Sequence, residues 1–480
     1  MTYLSAKFDN SYARELEGMY QNVSGAIAPA PKMLAFNIEL AHELGLDAGS
    51  WNSEEGAQVL SGSREIVGST PLAMAYSGHQ FGGFSPSLGD GRAMLLGEII
   101  DVNQMRRDLH LKGSGRTPFS RGGDGKAVIG PVLREYLMGE AMHALGVPTT
   151  RALAAVSTGE DVMRERLKPG AVLARIADSH IRVGTFQFFA ARGQIEELKR
   201  LVTYTTARHF PETSSVENQA LALLQNVVKS QAGLIAKWVS IGFVHGVMNT
   251  DNMAISGQTI DYGPCAFIDG YDEATVFSSI DRNGRYAFGN QAAIAQWNLA
   301  RLAEALLPLI DENEDCAFEL ASAAITSFEQ QFDHNWSRTL AQKIGINDFQ
   351  EGDHVLVKEM LGLLAVEKTD YTSFFRALSR GDAWAMFDDS TSFETWQDKW
   401  IARVGSVEHA QTKMDAVNPI YIPRNHIVDT ALRQAEDGDM RAFDELLDIM
   451  KSPFVARVGF EKYAQAAPKG SDPIVTYCGT

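Results

Sequence analysis

Apolar residues recur along this chain in two rhythms, and the change from one to the other falls near Gly184. Before it, segments 93–100 and 108–112 are short and apolar-rich, and Leu109 and Leu111 alternate with His110 and Lys112, the period of a half-buried strand. Segments 150–156 and 171–177 are two further strands of the same kind. Between the two pairs, Gly130-Pro131 opens a helix that runs through Leu145, with Pro131 suited to a first turn and Gly146 placed as a stop before Pro148. Beyond Gly184 the period lengthens: 216–241 and 291–307 are long helices with apolar stripes, followed by several shorter helices to about Met450. One insertion of strand character interrupts them. Segments 253–255 and 258–260, joined by Ser256-Gly257, predict a β-hairpin. Residues 1–75 mix helical stretches with loops punctuated by Pro29, Pro31 and Pro71, and form an extension leading into the first sheet. The expected fold class is α+β, with a β-rich lobe over 76–184 and a larger, mainly helical lobe over 185–480.

Composition narrows the function. A chain of 480 residues exceeds what one hydrophobic core usually spans, so two packed lobes are expected. A formal charge of −17 argues against a broad nucleic-acid surface, because such binding rests on neutralising phosphates. Any phosphate ligand must therefore meet local cations. No apolar run reaches membrane-spanning length, and Met1 to Asn10 lacks the apolar core of a signal peptide. Cys265, Cys316 and Cys478 are too few for a disulfide framework and lack metal-ligand spacing. A cytoplasmic enzyme, monomeric, is the expectation.

The chemistry lies in an ordered set. Protein kinases place a Lys on a strand, a Glu on the next helix, a catalytic loop H-R-D-x-x-x-x-N, and D-F-G soon after. Here Lys112 ends a strand, Glu135 lies in the following helix, His245 to Asn252 reads HGVMNTDN, and Asp261-Tyr262-Gly263 follows the expected hairpin. A triphosphate needs a cation on its phosphates, held by a carboxylate, which Lys112 and Glu135 supply. It also needs a divalent ion on oxygen ligands, for which Asn252 offers an amide oxygen and Asp261 a carboxylate, suiting Mg²⁺ or Mn²⁺. Two features depart from the kinase pattern. Val247 stands where the catalytic aspartate belongs, leaving Asp251 as the nearest proton acceptor, and Gly82-Gly83 with Gly89-Asp90-Gly91-Arg92 replaces the glycine-rich loop. Arg92, Arg116, Arg121, Arg175 and Arg182 concentrate guanidiniums near the sheet half of an acidic chain. Against this stand plainer readings: turn glycines, surface arginines, and an exposed loop carboxylate at Asp251.

Three segments, YSGHQFGGFSPSLGDGRAMLLGE (76–98), LHLKGSGRTPFSRGGDGKAVIGPVLREYLMGEAMHALGVPTTR (109–151) and GFVHGVMNTDNMAISGQTIDYGPCAFID (242–269), resemble the selenoprotein O family, and the likeness runs over most of the chain. That resemblance implies a bilobal, protein-kinase-like pseudokinase fold that binds ATP inverted relative to active kinases. The implied reaction moves AMP onto Ser, Thr or Tyr of protein substrates, with UTP used by related bacterial members. The implied nucleotide contacts fall on Gly89, Gly91, Arg92, Lys112, Asp124, Gly125, Arg175, Arg182 and Asp261, the metal ligands on Asn252 and Asp261, and the proton acceptor on Asp251. Glu135 is the implied ion-pair partner of Lys112. Because eukaryotic relatives carry selenocysteine near the C-terminus, Cys265 and Cys478 are a candidate redox pair restraining the active-site loop. A true phosphotransferase and an inactive nucleotide-binding scaffold are the rival readings.

Overall fold

A computed structural model describes residues 4–468 and residue 476. Its strands, in chain order, are β1 (Tyr20–Asn22), β2 (Lys32–Phe36), β3 (Leu72–Met74), β4 (Gly78–Gln80), β5 (Gly83–Ser85), β6 (Ala93–Ile100), β7 (Arg106–Lys112), β8 (Ala127–Val128), β9 (Arg151–Met163), β10 (Leu167–Ala177), β11 (Phe243–Val244) and β12 (Ala266–Phe267). The main sheet is antiparallel in the order β1-β3-β6-β7-β10-β9-β2, with β8 pairing β10.

The alternation read in β7 decides what each face of this sheet does. Leu109 and Leu111 turn to one side, where they join Leu96, Val156, Val172 and Ala174 in a core sealed by the short helices Ile38–Glu43, Ala48–Trp51 and Glu54–Leu60. His110 and Lys112 therefore face the other side, toward the helix Ile129–Ala144 and the cleft. The first 75 residues thus contribute a cover for the sheet as well as its two edge strands, β1 and β2.

The helical part is built on Gln219–Ser240, Gln291–Ile310 and Glu314–Lys343. The last, at 30 residues, is longer than the short helices expected in that stretch. Half of its buried positions are alanines, so the apolar stripe that would announce it is thin. A second core of Phe374, Phe393, Trp396 and Trp400 holds the helices Tyr371–Arg380 and Ser390–Val404. The helices Asn425–Glu436 and Arg441–Met450 then return to Ile129–Ala144, where Phe443 meets Tyr136 with ring centroids 6.2 Å apart.

The hairpin expected over 253–260 does not form. Ala254 bridges to Arg182 and Thr259 bridges to Thr149, so the two arms pair with different segments and only the turn at Gly257, with φ 75°, survives. The fold-back comes instead from β11 pairing β12, which brackets the whole loop. Among the described residues no helix is long and apolar enough to cross a membrane.

Candidate functional site

Lys112, the last residue of β7, reaches across the cleft floor. Its Nζ lies 2.7 Å from Glu135 Oε2 and 2.5 Å from Asp261 Oδ1. Glu135 sits on the inward face of Ile129–Ala144, and Asp261 is held at φ 65°, a left-handed conformation uncommon for aspartate, which turns its carboxylate back toward the sheet. From β10, Arg175 donates through Nη1 to Glu135 Oε1 at 2.8 Å and to Asp261 Oδ1 at 2.7 Å. Arg182 adds a third cation, with Nη1 3.6 Å from Asp261 Oδ2 and its guanidinium 4.4 Å from the centre of the Tyr76 ring. Arg175 and Arg182 are 2% and 3% exposed, so both belong to the interior and the surface reading fails for them. Burial works to raise the Asp261 pKa, but Lys112, Arg175 and Arg182 overcome it and hold the carboxyl well below its ordinary range.

Asp251 has the opposite environment. It is 8% exposed rather than a surface carboxylate, its Oδ1 has no hydrogen-bond partner among the described residues, and Gln80 Nε2 stands 3.4 Å from Oδ2. Burial pushes its pKa up to about 6, with Arg182 drawing it partly back. Two aspartates ten positions apart are therefore driven in opposite directions, the pattern by which one site holds both an anchored anion and a base. Asn252 follows in the turn Thr250–Asn252, and its Nδ2 donates to the Val247 carbonyl at 3.0 Å, which leaves Oδ1 as the end able to accept a metal. His245 is wholly buried, stacked on Trp238 and within 2.9 Å of the Ile260 carbonyl, a structural position.

The glycines form one wall. Gly89 adopts φ 63° and a Cβ there would fall 2.2 Å from the Phe119 ring; at Gly125, φ 71°, it would fall 2.1 Å from the Gly115 carbonyl. Thr117 Oγ1 donates to the Asp90 carbonyl at 2.6 Å and Ser120 Oγ to that of Gly91, tying loop 116–124 to the Gly89–Gly91 turn. Asp124 accepts from Arg164 at 2.7 Å, a contact that lowers its pKa. Arg92 and Arg121 line the same cleft, Arg92 making no salt bridge among the described residues, while Arg116 is exposed and outside the lining. The cleft encloses about 1400 Å³, larger than a small ligand requires.

Several neighbours escape sequence reading. Asp90, between the two glycines, faces His110 at 3.3 Å; His180 accepts from Arg175 Nε at 3.1 Å and so orients it. Arg134, on the same helix as Glu135, bonds the Gly263 and Cys265 carbonyls and Asn425 Oδ1, fastening the loop after Asp261 to the returning helix. The only signal for the histidines was their place in the alternation of β7 and after β10; nothing marked Arg134. Cys265 is buried, and Cys478 lies outside the described residues.

The sequence finds close matches among known proteins. The family model "Protein adenylyltransferase SelO" covers residues 2–451. A protein nucleotidyltransferase YdiU of Cereibacter sphaeroides is 52% identical, covering 99% of this chain and 100% of the relative. Those of Mycolicibacterium smegmatis and Geobacillus kaustophilus are 52% and 51% identical, covering 98% and 99% of this chain and 97% and 99% of theirs. At that identity over the full length, with the Lys–Glu–Asp core folded into one cleft, the chain belongs to the SelO family of nucleotidyltransferases.

Proposed function

We propose that this protein is a cytoplasmic, monomeric protein adenylyltransferase that moves AMP from ATP to Ser, Thr or Tyr hydroxyls of other proteins. One observation carries the reading. Apolar Val247, 5% exposed, fills the place of a kinase's catalytic aspartate, while Asp251 nearby is a buried carboxylate whose pKa is pushed up to about 6 and whose Oδ1 has no partner among the described residues. Such a group takes a proton near neutral pH.

In this scheme the nucleotide lies between the Gly89–Gly91 turn with Arg92 and the Asp124-Gly125 loop. The acceptor oxygen attacks the α-phosphorus in line, its proton passes to Asp251, and the bond to pyrophosphate breaks. Lys112, Arg175 and Arg182 meet the charge of the departing pyrophosphate, and Glu135 keeps Lys112 and Arg175 oriented. Asn252 Oδ1 and the Asp261 carboxylate are hard oxygen donors suited to Mg²⁺ or Mn²⁺, and two protein ligands fit an ion that completes its shell with water and phosphate oxygens. That ion, when bound, polarises the phosphate oxygens. The division into a nucleotide-binding lobe at 76–184 and a helical lobe at 185–480 follows the same scheme.

The test is which phosphate stays on the acceptor. With Mg²⁺ or Mn²⁺ and cell lysate, ATP labelled at the α-phosphate leaves label on protein and ATP labelled at the γ-phosphate leaves none. Retained γ label means a kinase, and no label from either means a scaffold; α-labelled UTP in parallel reads whether a uridine donor serves.

Cys265 and Cys478 are carried in the proposal as a redox pair. Supporting it, Thr476 Oγ1 donates to the Pro264 carbonyl at 2.6 Å, which brings the chain two residues from Cys478 beside Cys265. Peptide mapping of oxidised protein is expected to recover the two cysteines linked; recovery of both as thiols removes the pair.

A further inference from the structure

The hairpin of β4 and β5 lies directly on the catalytic loop and displays aromatic rings there. Its backbone is bolted down: His79 N donates to Thr250 Oγ1 at 2.7 Å and Phe81 N to Asn249 Oδ1 at 3.1 Å, while Gln80 reaches Asp251. The two turn residues, Phe81 and Gly82, both have positive φ, 51° and 88°. Asparagine or glycine ordinarily fills the first of these, so a phenylalanine is an outlier held against its preference. Its ring rests on Tyr286, with centroids 5.1 Å apart, yet Phe81 and Phe84 remain 37% and 43% exposed.

Behind the rings stands a cationic wall. Trp297 takes the edge of His79 at 5.2 Å, and His79 in turn meets Phe84 at 4.9 Å. The guanidiniums of Arg285 and Arg301 lie 4.7 Å and 4.9 Å from the Trp297 ring. Arg301 is paired with Glu304 at 2.6 Å, whereas Arg285 makes no salt bridge among the described residues and its head group borders Gly82 at the hairpin tip. In a chain of net charge −17, a guanidinium with no salt bridge among the described residues, beside exposed aromatics on the hairpin that reaches Asp251, is a local exception.

We infer that this surface, Phe81, Phe84, Trp297 and Arg285, docks the acceptor polypeptide, taking an apolar or aromatic side chain on the rings and an acidic side chain on Arg285 so that the neighbouring hydroxyl reaches Asp251. The inference rests on the proposed transfer to protein hydroxyls and names the acceptor that reaction selects. Charge complementarity specifies the acidic partner, and contact of the hairpin with Asp251 through Gln80 makes docking and reaction continuous. A nucleic-acid strand is disfavoured, since one unpaired arginine on an acidic protein neutralises few phosphates.

The test uses two synthetic peptides, each with one serine and one phenylalanine, flanked in one by glutamates and in the other by lysines. With α-labelled ATP and Mn²⁺, the wild-type protein is expected to show a KM about tenfold lower for the glutamate peptide. Arg285→Glu inverts that ranking, an outcome misfolding does not produce, and Phe84→Ser raises the KM for both peptides while the KM for ATP stays put. An unchanged ranking in Arg285→Glu, or equal use of both peptides by the wild type, overturns the docking surface while leaving transfer to lysate proteins intact. Absence of label on every peptide and lysate protein overturns it together with the transfer reading.

Discussion

Replacing Asp261 with alanine is expected to cut α-label transfer roughly a thousandfold or more, because in the proposed site this carboxylate is the charged ligand of the divalent ion. A second consequence separates this from simple unfolding. Without Asp261, Lys112 and Arg175 keep only Glu135 as a carboxylate partner among the described residues and Arg182 keeps only Asp90, at 3.8 Å, so the nucleotide-free protein is expected to lose melting temperature. ATP alone, a polyanion able to replace the missing charge, then raises that temperature more than it does in the wild type. Asp261→Asn, which keeps the shape, is expected to lose transfer equally and melt higher than the alanine variant. Transfer at the wild-type rate in either contradicts the site assignment, and thermal shift with label counting reads both effects.

Asp251→Asn is the second large effect: a fall in kcat of about a hundredfold to ten-thousandfold, the range a general base supplies, with the affinity for ATP retained. In the wild type kcat rises with pH through about 6 and is flat above, since only the ionised carboxylate accepts a proton. Stability moves the other way. The folded pKa is raised above the ordinary 3.8, so the folded state binds the extra proton between about pH 4 and 6 and stability is lost as pH climbs through that window. A shift of that size corresponds to about 3 kcal/mol above pH 6. Asp251→Asn therefore melts higher than the wild type at pH 8, and the difference closes near pH 4. A variant that keeps its activity, or melts lower at pH 8, contradicts the role given to this residue.

The two predictions mark where sequence sufficed. Lys112, Glu135 and Asp261 were legible because their order along the chain is the order in which a strand, a helix and a loop deliver side chains to one cleft. Alternation in β7 was enough to tell that Lys112 and Leu111 part company. Asp251 was legible as a candidate by its place beside Asn252, but its burial was not, because the groups that seal it come from the β4–β5 hairpin and from Arg182, both distant in sequence.

What stayed illegible shares a cause. Edge strands β1 and β2 pair with β3 and β9, and nothing local distinguishes a short edge strand from a loop. Ser256-Gly257 makes a tight turn whether or not its arms pair, so the expected hairpin was a fair reading of the turn and a wrong one of its flanks. Arg134 looked like one more helix arginine until the Cys265 carbonyl and Asn425 came to meet it. In each case the deciding partner lies far along the chain.

The central claim is that the α-phosphate, not the γ-phosphate, is presented to Asp251 and the ion ligands. Its most direct measurement is a crystal structure with a non-hydrolysable ATP analogue and Mn²⁺. The expected result is density for the ion between Asn252 Oδ1 and the Asp261 carboxylate, with the α-phosphorus beside Asp251 and the rest of the triphosphate against Lys112 and the arginines. A γ-phosphate in that position, or an ion lodged away from Asn252 and Asp261, would contradict it.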